Sequence, residues 1–382
     1  MGGQKNSPLL LVLLSMYEGI HEWLARTLSL PALVIAPRLN QFAVGKGSLK
    51  QACPILKYVR ISLTNMKCSF FYLIGFLTIA VVSHVPAEDV PFPLNAERIV
   101  FLGDSITHAG EYITLIEARL RLELPKRVPE LINLGLPSET CSGLSEPDHP
   151  FPRPDVHERL ARALDKAKPD VVVACYGMND GIYHPFHEDR FNAYRLGIGK
   201  LIEAVKESGA ALILMTPPAF DPLPMKKSGK LVSSEADQFA WFAIYENYDQ
   251  EVLKPYAQWV MAQENRVHRV IDLHTSVNRF LDEKRKVNLD FTMSGDGVHV
   301  NGEGHQVLAQ SILESWGYSV WRPLDSELVS LIQKKQTLLH NAWLSHVGHQ
   351  RPGMKPGLPL VEAHQQIKPI EVTISEKLRS LK

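Results

Sequence analysis

From residue 97 onward, short unbroken apolar runs alternate with longer stretches in which apolar residues recur every three or four positions. The runs at 98–103 (RIVFLG), 131–136 (LINLGL), 170–176 (DVVVACY), 211–216 (ALILMT) and 269–273 (RVIDL) predict strands. Their near-continuous Val, Ile and Leu content fits strands covered on both faces. Between and after them, the pattern predicts helices over 112–124, 156–167, 191–208, 238–263 and 303–316. Such alternation implies an α/β fold: a parallel sheet between two helical layers, joined by right-handed crossovers. Ligands of these sheets bind beyond the carboxyl ends of the strands, so the residues that follow each run are the ones to read for chemistry.

The chain before residue 97 follows no such rhythm. Residues 68–83 (CSFFYLIGFLTIAVVS) are apolar and uncharged, preceded by Met66-Lys67 and followed by His84-Val85-Pro86-Ala87. A short positive start, an apolar stretch of about 15 and small residues beyond it form the pattern of a signal peptide. A spanning helix needs about 20 apolar residues, which makes a permanent membrane anchor the weaker alternative. The expectation is a translation start at Met66, a signal peptide over 66–87 and a non-structural upstream extension over 1–65. An N-terminal helical subdomain is the other reading of 1–65, but no sustained period joins its pieces. The alternating part is expected to form one domain over 95–320. A C-terminal arm follows over 321–382, helical at 326–339 and then broken by turns at Arg351-Pro352-Gly353 and Lys355-Pro356-Gly357.

Composition narrows the class. A hydrophobic share of 45% and a charged share of 21% are those of a globular chain. The formal net charge is zero, yet the first 87 residues hold eight Lys or Arg against two Asp or Glu, leaving 33 against 39 beyond. The body is thus acidic, about −6, which argues against a nucleic-acid binder and suits an enzyme acting on neutral esters. Of four cysteines, Cys53 and Cys68 fall in the leader. Cys141 and Cys175 are open to a bridge in an oxidising compartment, with a free, buried Cys175 the expected state. His340, His346 and His349 match no helix-face ligand pair and lack a completing carboxylate or cysteine, so no metal site is expected there.

Three loops carry candidate chemistry. After the first strand comes Gly103-Asp104-Ser105. A serine at a strand-to-helix turn can expose its hydroxyl while its N–H lies near the positive helix end, the setting a nucleophile in acyl transfer needs. Alone, such a serine is commonly just a helix cap. Far downstream, Asp296-Gly297-Val298-His299 precedes the last domain helix. Its spacing lets the carboxylate hold one imidazole nitrogen while the other faces the serine. His305 is a competitor for the base but has no preceding acid at that spacing. After the third strand, Gly177-Met178-Asn179-Asp180 offers Asn179 as an oxyanion donor, or else as an Asx turn.

Together these blocks resemble the SGNH (GDSL-type) hydrolase family over roughly residues 97–317. The resemblance implies a three-layer α/β/α sandwich with a five-stranded, flavodoxin-like parallel sheet. It also implies ester hydrolysis through an acyl-enzyme, without metal or organic cofactor. Carried over, Ser105 is the nucleophile, His299 the base, Asp296 its orienting acid, and Ser105 and Asn179 donate to the oxyanion. The match loosens in the segment 133–140 (NLGLPSET), where the family's oxyanion glycine falls on Ser138 rather than Gly135. A serine N–H can still serve if its φ is ordinary; Gly135 is the fallback.

The expected function is a secreted or periplasmic serine esterase, acting on a small-molecule or polysaccharide ester, foremost a carbohydrate O-acetyl ester. Segments 180–190 and 238–248 are expected at the mouth of the site. The alternatives are an O-acyltransferase using the same triad and a non-catalytic carbohydrate-binding protein. A lipid ester would instead favour a broad apolar groove.

Overall fold

The computed structural model of the chain describes residues 91–124 and 127–381. The expected upstream extension and signal peptide, and with them Cys53 and Cys68, lie outside the described residues. Among the described residues, no helix is long and apolar enough to cross a membrane.

Five parallel strands form the central sheet: β1 (Arg98–Gly103), β2 (Glu130–Asn133), β3 (Val171–Cys175), β4 (Ala211–Met215) and, after two short strands elsewhere, β7 (Arg269–Ile271). Their spatial order is β2-β1-β3-β4-β7, the doubly wound order of flavodoxin-like folds. Register is set by apolar pairing: Val100 lies beside Val172 and Val172 beside Leu212, all buried.

The sheet is flanked by α1 (Ser105–Ala109), α2 (Glu111–Glu123), α3 (Val156–Ala167), α4 (Glu188–Glu207), α5 (Pro222–Lys227), α6 (Lys254–Met261), α7 (Leu273–Arg285) and α8 (Gly302–Ser315). In one layer α8 packs on α2 and α7; in another α3 packs on α4. These are the helical layers expected of the sandwich.

The C-terminal segment is built into the body. It forms α9 (Ser326–Val347) and α10 (Leu360–Ser380), and α9 lies against α2, α3 and the edge strand β2. An edge strand leaves every second carbonyl unpaired. Here Gln336 Nε2 donates to Leu131 O (3.2 Å) and His340 Nδ1 to Asn133 O (2.9 Å). Two residues along a strand span about 6.6 Å and four along a helix about 6 Å, so an i, i+4 pair matches alternate carbonyls. His340 thus serves as a cap on the sheet edge.

Several boundaries differ from the sequence pattern. The helix expected over 238–263 exists only in its second half, as a π-helical turn (Tyr248–Leu253) leading into α6. Ahead of it, Ala240 and Ala243 bond reciprocally in a tight turn, and β6 (Ile244–Tyr245) pairs with β5 (Leu231–Val232). The aromatics at 239, 242, 245 and 248 mimic a helical period, but the Tyr245 amide is claimed by Tyr183 O at 3.1 Å. Tertiary contacts override local pattern there. Helices α7 and α10 were not anticipated. Both described cysteines, Cys141 and Cys175, are free and buried.

Candidate active site

The first loop is shaped by close packing. A Cβ on Gly103 would lie 2.3 Å from Thr107 Oγ1 and 2.9 Å from Cys175 O, so only glycine lets β1 turn sharply into α1. Asp104 then caps α1, accepting from Ile106 N at 3.0 Å. Burial pushes the Asp104 carboxyl up to about 6, partly offset by that hydrogen bond and by nearby His299. The next residue, Ser105, begins α1 at the sheet's carboxyl edge.

The last loop meets it there. Ser105 Oγ is 2.8 Å from His299 Nε2, and His299 Nδ1 is 2.7 Å from Asp296 Oδ2. The other Asp296 oxygen is saturated by the loop: it accepts from Ser294 Oγ (3.0 Å), Val298 N (2.9 Å) and His299 N (2.8 Å). These bonds orient the carboxylate so that Oδ2 faces the imidazole. Partial burial raises the Asp296 carboxyl, but the hydrogen bonds and charge of His299 prevail and hold it far below the usual range. The same bond raises the His299 pKa above its ordinary 6.5, against a smaller opposing effect of burial. His305 is buried on α8 and stacked on Tyr112 (6.1 Å between centroids), and burial lowers it to about 4.

Asn179 and Ser138 line the same cavity as Ser105 and His299, a space of about 310 Å³. Asn179 Oδ1 accepts from Tyr183 OH (2.9 Å), and one Nδ2 hydrogen goes to Glu139 O (3.2 Å), which leaves the other for a ligand. Ser138 adopts φ 67°, so the condition of an ordinary φ is not met. It occupies instead the left-handed region that a glycine enters freely, and its N–H has no hydrogen-bond partner among the described residues, so that N–H is left for a ligand despite the unusual φ. Gly135 is not free to take over, because its N–H donates to Asn133 Oδ1 at 2.8 Å. Its role is clearance: a Cβ there would lie 2.3 Å from His108 N in α1.

Buried ion pairs brace the Ser138 loop. Arg159 grips Glu139 with two bonds (2.6 and 2.7 Å), and Tyr176 OH donates to the same carboxylate (2.7 Å). Arg153 grips Glu146 likewise (2.6 and 2.7 Å) and donates to Ser138 O at 3.3 Å. Asp180 accepts from the amides of Cys141 (2.8 Å) and Ser142 (2.7 Å), and burial pushes its carboxyl up to about 6.

Segments 180–190 and 238–248 contribute Tyr183 and Trp241 to the cavity wall. Sequence reasoning passed over His149, Phe151 and Arg153, which come from the proline-rich loop before α3, and Arg351, from the turn after α9. The cluster of prolines at 147–154 (PDHPFPRP) was the available signal: a stiff, non-repetitive stretch beyond a strand's carboxyl end.

A doubly wound sheet with a Ser–His–Asp chain at its carboxyl edge is the arrangement of a serine hydrolase. The GDSL-like lipase/acylhydrolase family matches residues 101–307, more than half of the 382 residues, and the chain belongs to that family of ester hydrolases. No curated protein matches it in sequence. Among solved structures it is similar to an acetylxylan esterase from Geobacillus stearothermophilus, at 19% identity over 60% of this chain and 97% of that one, TM-score 0.43. A hydrolase from the metagenome of Lake Arreo, Spain, is similar at 22% identity over 59% and 97%, TM-score 0.40. A gut microbial diltiazem-metabolizing enzyme is similar at 18% identity over 59% of this chain, with TM-score 0.45; the match spans 48% of that enzyme's length.

Proposed function

We propose that the protein is a secreted serine esterase that removes O-acetyl groups from carbohydrate through an acyl-enzyme. Ser105 Oγ attacks the ester carbonyl while His299 Nε2 takes its proton. The N–H groups of Ser105 and Ser138 and the free Nδ2 hydrogen of Asn179 receive the oxyanion. As the C–O bond breaks, His299 returns the proton to the leaving alcohol; water then enters by the same route and releases the acid and Ser105.

The observation that carries this reading is the unbroken Ser105–His299–Asp296 chain, at 2.8 and 2.7 Å. Support for a sugar rather than a lipid ester comes from the wall of the cavity. It is small, about 310 Å³, and mixes half-exposed Trp241 with Arg153, His149 and Asn179 rather than presenting a broad apolar groove. Secretion is supported by the uncharged run 68–83 and the small residues after it.

The test is acetate release from p-nitrophenyl acetate and acetylated xylan by wild type and Ser105→Ala. Turnover surviving in Ser105→Ala overturns the mechanism; transfer of acetyl to an added sugar in preference to water turns the reading toward an acyltransferase. Sequencing the N-terminus of the exported protein tests the leader, and an end upstream of Met66 refutes it.

A further inference from the structure

The cavity beside Ser105 holds two guanidinium groups in different electrostatic states. Arg153 is neutralised by two bonds to buried Glu146. Arg351 has no carboxylate within 4.0 Å among the described residues, although it lines the same cavity as Ser105 and His299. Its Nε donates to Pro137 O at 2.9 Å and its Nη1 to Pro352 O at 3.0 Å. Among the described residues Nη2 has no hydrogen-bond partner. The guanidinium carbon lies 5.1 Å from the Phe151 ring centroid, which orients the plane of the fork.

Its position is fixed from behind. The preceding helix α9 is tied to β2 through Gln336 and His340, and its end is held by Arg162 Nε to Val347 O (3.2 Å) and by Lys166 Nζ to His346 O (2.6 Å). A flexible tail would carry a cation anywhere; this one is delivered to the cavity by a braced helix. It also lies outside residues 101–307, the part shared with the family.

An unpaired, pre-oriented guanidinium in a partly desolvated wall is suited to a planar anion. We propose that Arg351 is a specificity residue that binds a carboxylate carried by the ester substrate, so that the C-terminal segment adds selectivity for acidic esters to the hydrolase domain. This rests on the serine-esterase reading above. The carboxylate belongs either to the acyl group or to the alcohol, as in a uronic acid, and the two sources are separable by experiment.

For the acyl arm, kcat/KM is measured for p-nitrophenyl succinate and its methyl ester, following nitrophenol. For the alcohol arm, O-acetyl glucuronate is compared with its methyl ester, following acetate. A bond to a charged partner is worth about 10–100-fold, so wild type should prefer the carboxylate by at least about tenfold in one arm, chiefly through KM. In Arg351→Gln that ratio should fall to about 1, and Arg351→Lys, which keeps the charge but not the fork, should restore it in part. A wild-type ratio near 1 in both arms overturns the proposal, as does a ratio unchanged in Arg351→Gln. Where Arg351→Gln does not fold, a ratio unchanged in Arg351→Lys overturns it. Absence of Ser105-dependent turnover on p-nitrophenyl acetate is a separate result and strikes the esterase reading itself.

Discussion

Tyr183 donates its phenolic hydrogen to Asn179 Oδ1 across 2.9 Å, and both side chains are buried. A hydroxyl held by that oxygen decides which end of the amide is which, and so which end keeps a free N–H at the cavity. Removing the donor should let the amide lose its orientation. Tyr183→Phe is expected to lower kcat about tenfold with little change in KM, while Asn179→Ala, which removes the N–H itself, should cost about 10²–10³ in kcat. Steady-state kinetics on p-nitrophenyl acetate check both; a fully active Tyr183→Phe would mean that the bond to Glu139 O suffices.

The pH profile follows from the His299–Asp296 bond. As the proposed base, His299 works only when neutral, and its pKa is raised, so activity should be lost as pH falls through a midpoint above 6.5. Asp296→Asn removes both the carboxylate charge and the correct tautomer, and should lower kcat by about 10⁴ while moving the remaining limb to lower pH. A rate constant that stays flat from pH 5 to 8 is the result that refutes His299 as base.

Ser138 at φ 67° is a non-glycine residue in a conformation costing roughly 1 kcal/mol. Ser138→Gly keeps the N–H and relieves the strain. It is expected to keep full activity and raise the melting temperature by about 2–4 °C. Calorimetry reads the second and kinetics the first. Ser138→Ala should show neither gain, because its Cβ suffers the same crowding.

Buried His340 makes stability depend on pH with a definite sign. Burial lowers its pKa to about 4, with Asn133 O opposing and His108 and Arg159 adding to the shift. Nδ1 donates to Asn133 O, so Nε2 must stay bare to accept from His108 Nδ1 at 2.7 Å. Between pH 6.5 and 4 the unfolded chain binds a proton here that the folded one refuses, so this group's contribution is lost as pH falls. Asp104 and Asp180, raised to about 6, act in the opposite sense over nearly the same range. His305, lowered to about 4, acts in the same sense as His340, so the wild-type curve mixes opposing groups and the informative quantity is a difference. The melting temperature of His340→Gln, relative to wild type, should rise as pH goes from 6.5 to 4; a constant difference counts against the assignment.

What the sequence made legible follows from the range of each interaction. The five strands and the order of the Gly103-Asp104-Ser105, Asn179 and Asp296-Gly297-Val298-His299 loops rest on local pattern, and the structure brings those loops to one edge. The Ser138 turn was half legible: its place in the chain was readable, its left-handed φ was not. Hidden altogether were features that depend on distant partners. The residues 239–245 carry a helical spacing but are claimed by β5 and by Tyr183. His340 reads as a lone polar residue until Asn133, 207 positions away, supplies its acceptor. Arg351 reads as part of a turn until the braced α9 sets it beside Phe151.

Gly135 links packing to the position of Ser105, the proposed nucleophile. A Cβ there would meet His108 N at 2.3 Å and Thr107 C at 2.5 Å, both backbone atoms of α1, the helix that starts at Ser105. Backbone cannot swing aside as a side chain does, so Gly135→Ala must push α1 away from the β2 end. Overpacking of this kind costs about 1–3 kcal/mol. The displacement also lengthens the 2.8 Å contact between Ser105 Oγ and His299 Nε2, so activity should fall by more than the loss of folded protein explains. Gly199→Ala is the control: it lies within α4 with no atom within 4 Å of the new Cβ, and should be neutral or stabilising by up to about 1 kcal/mol. Thermal melts and kcat/KM on the two variants decide the point, since a Gly135→Ala enzyme that matches Gly199→Ala in both would show that close backing of α1 is not what holds Ser105 in reach of its base.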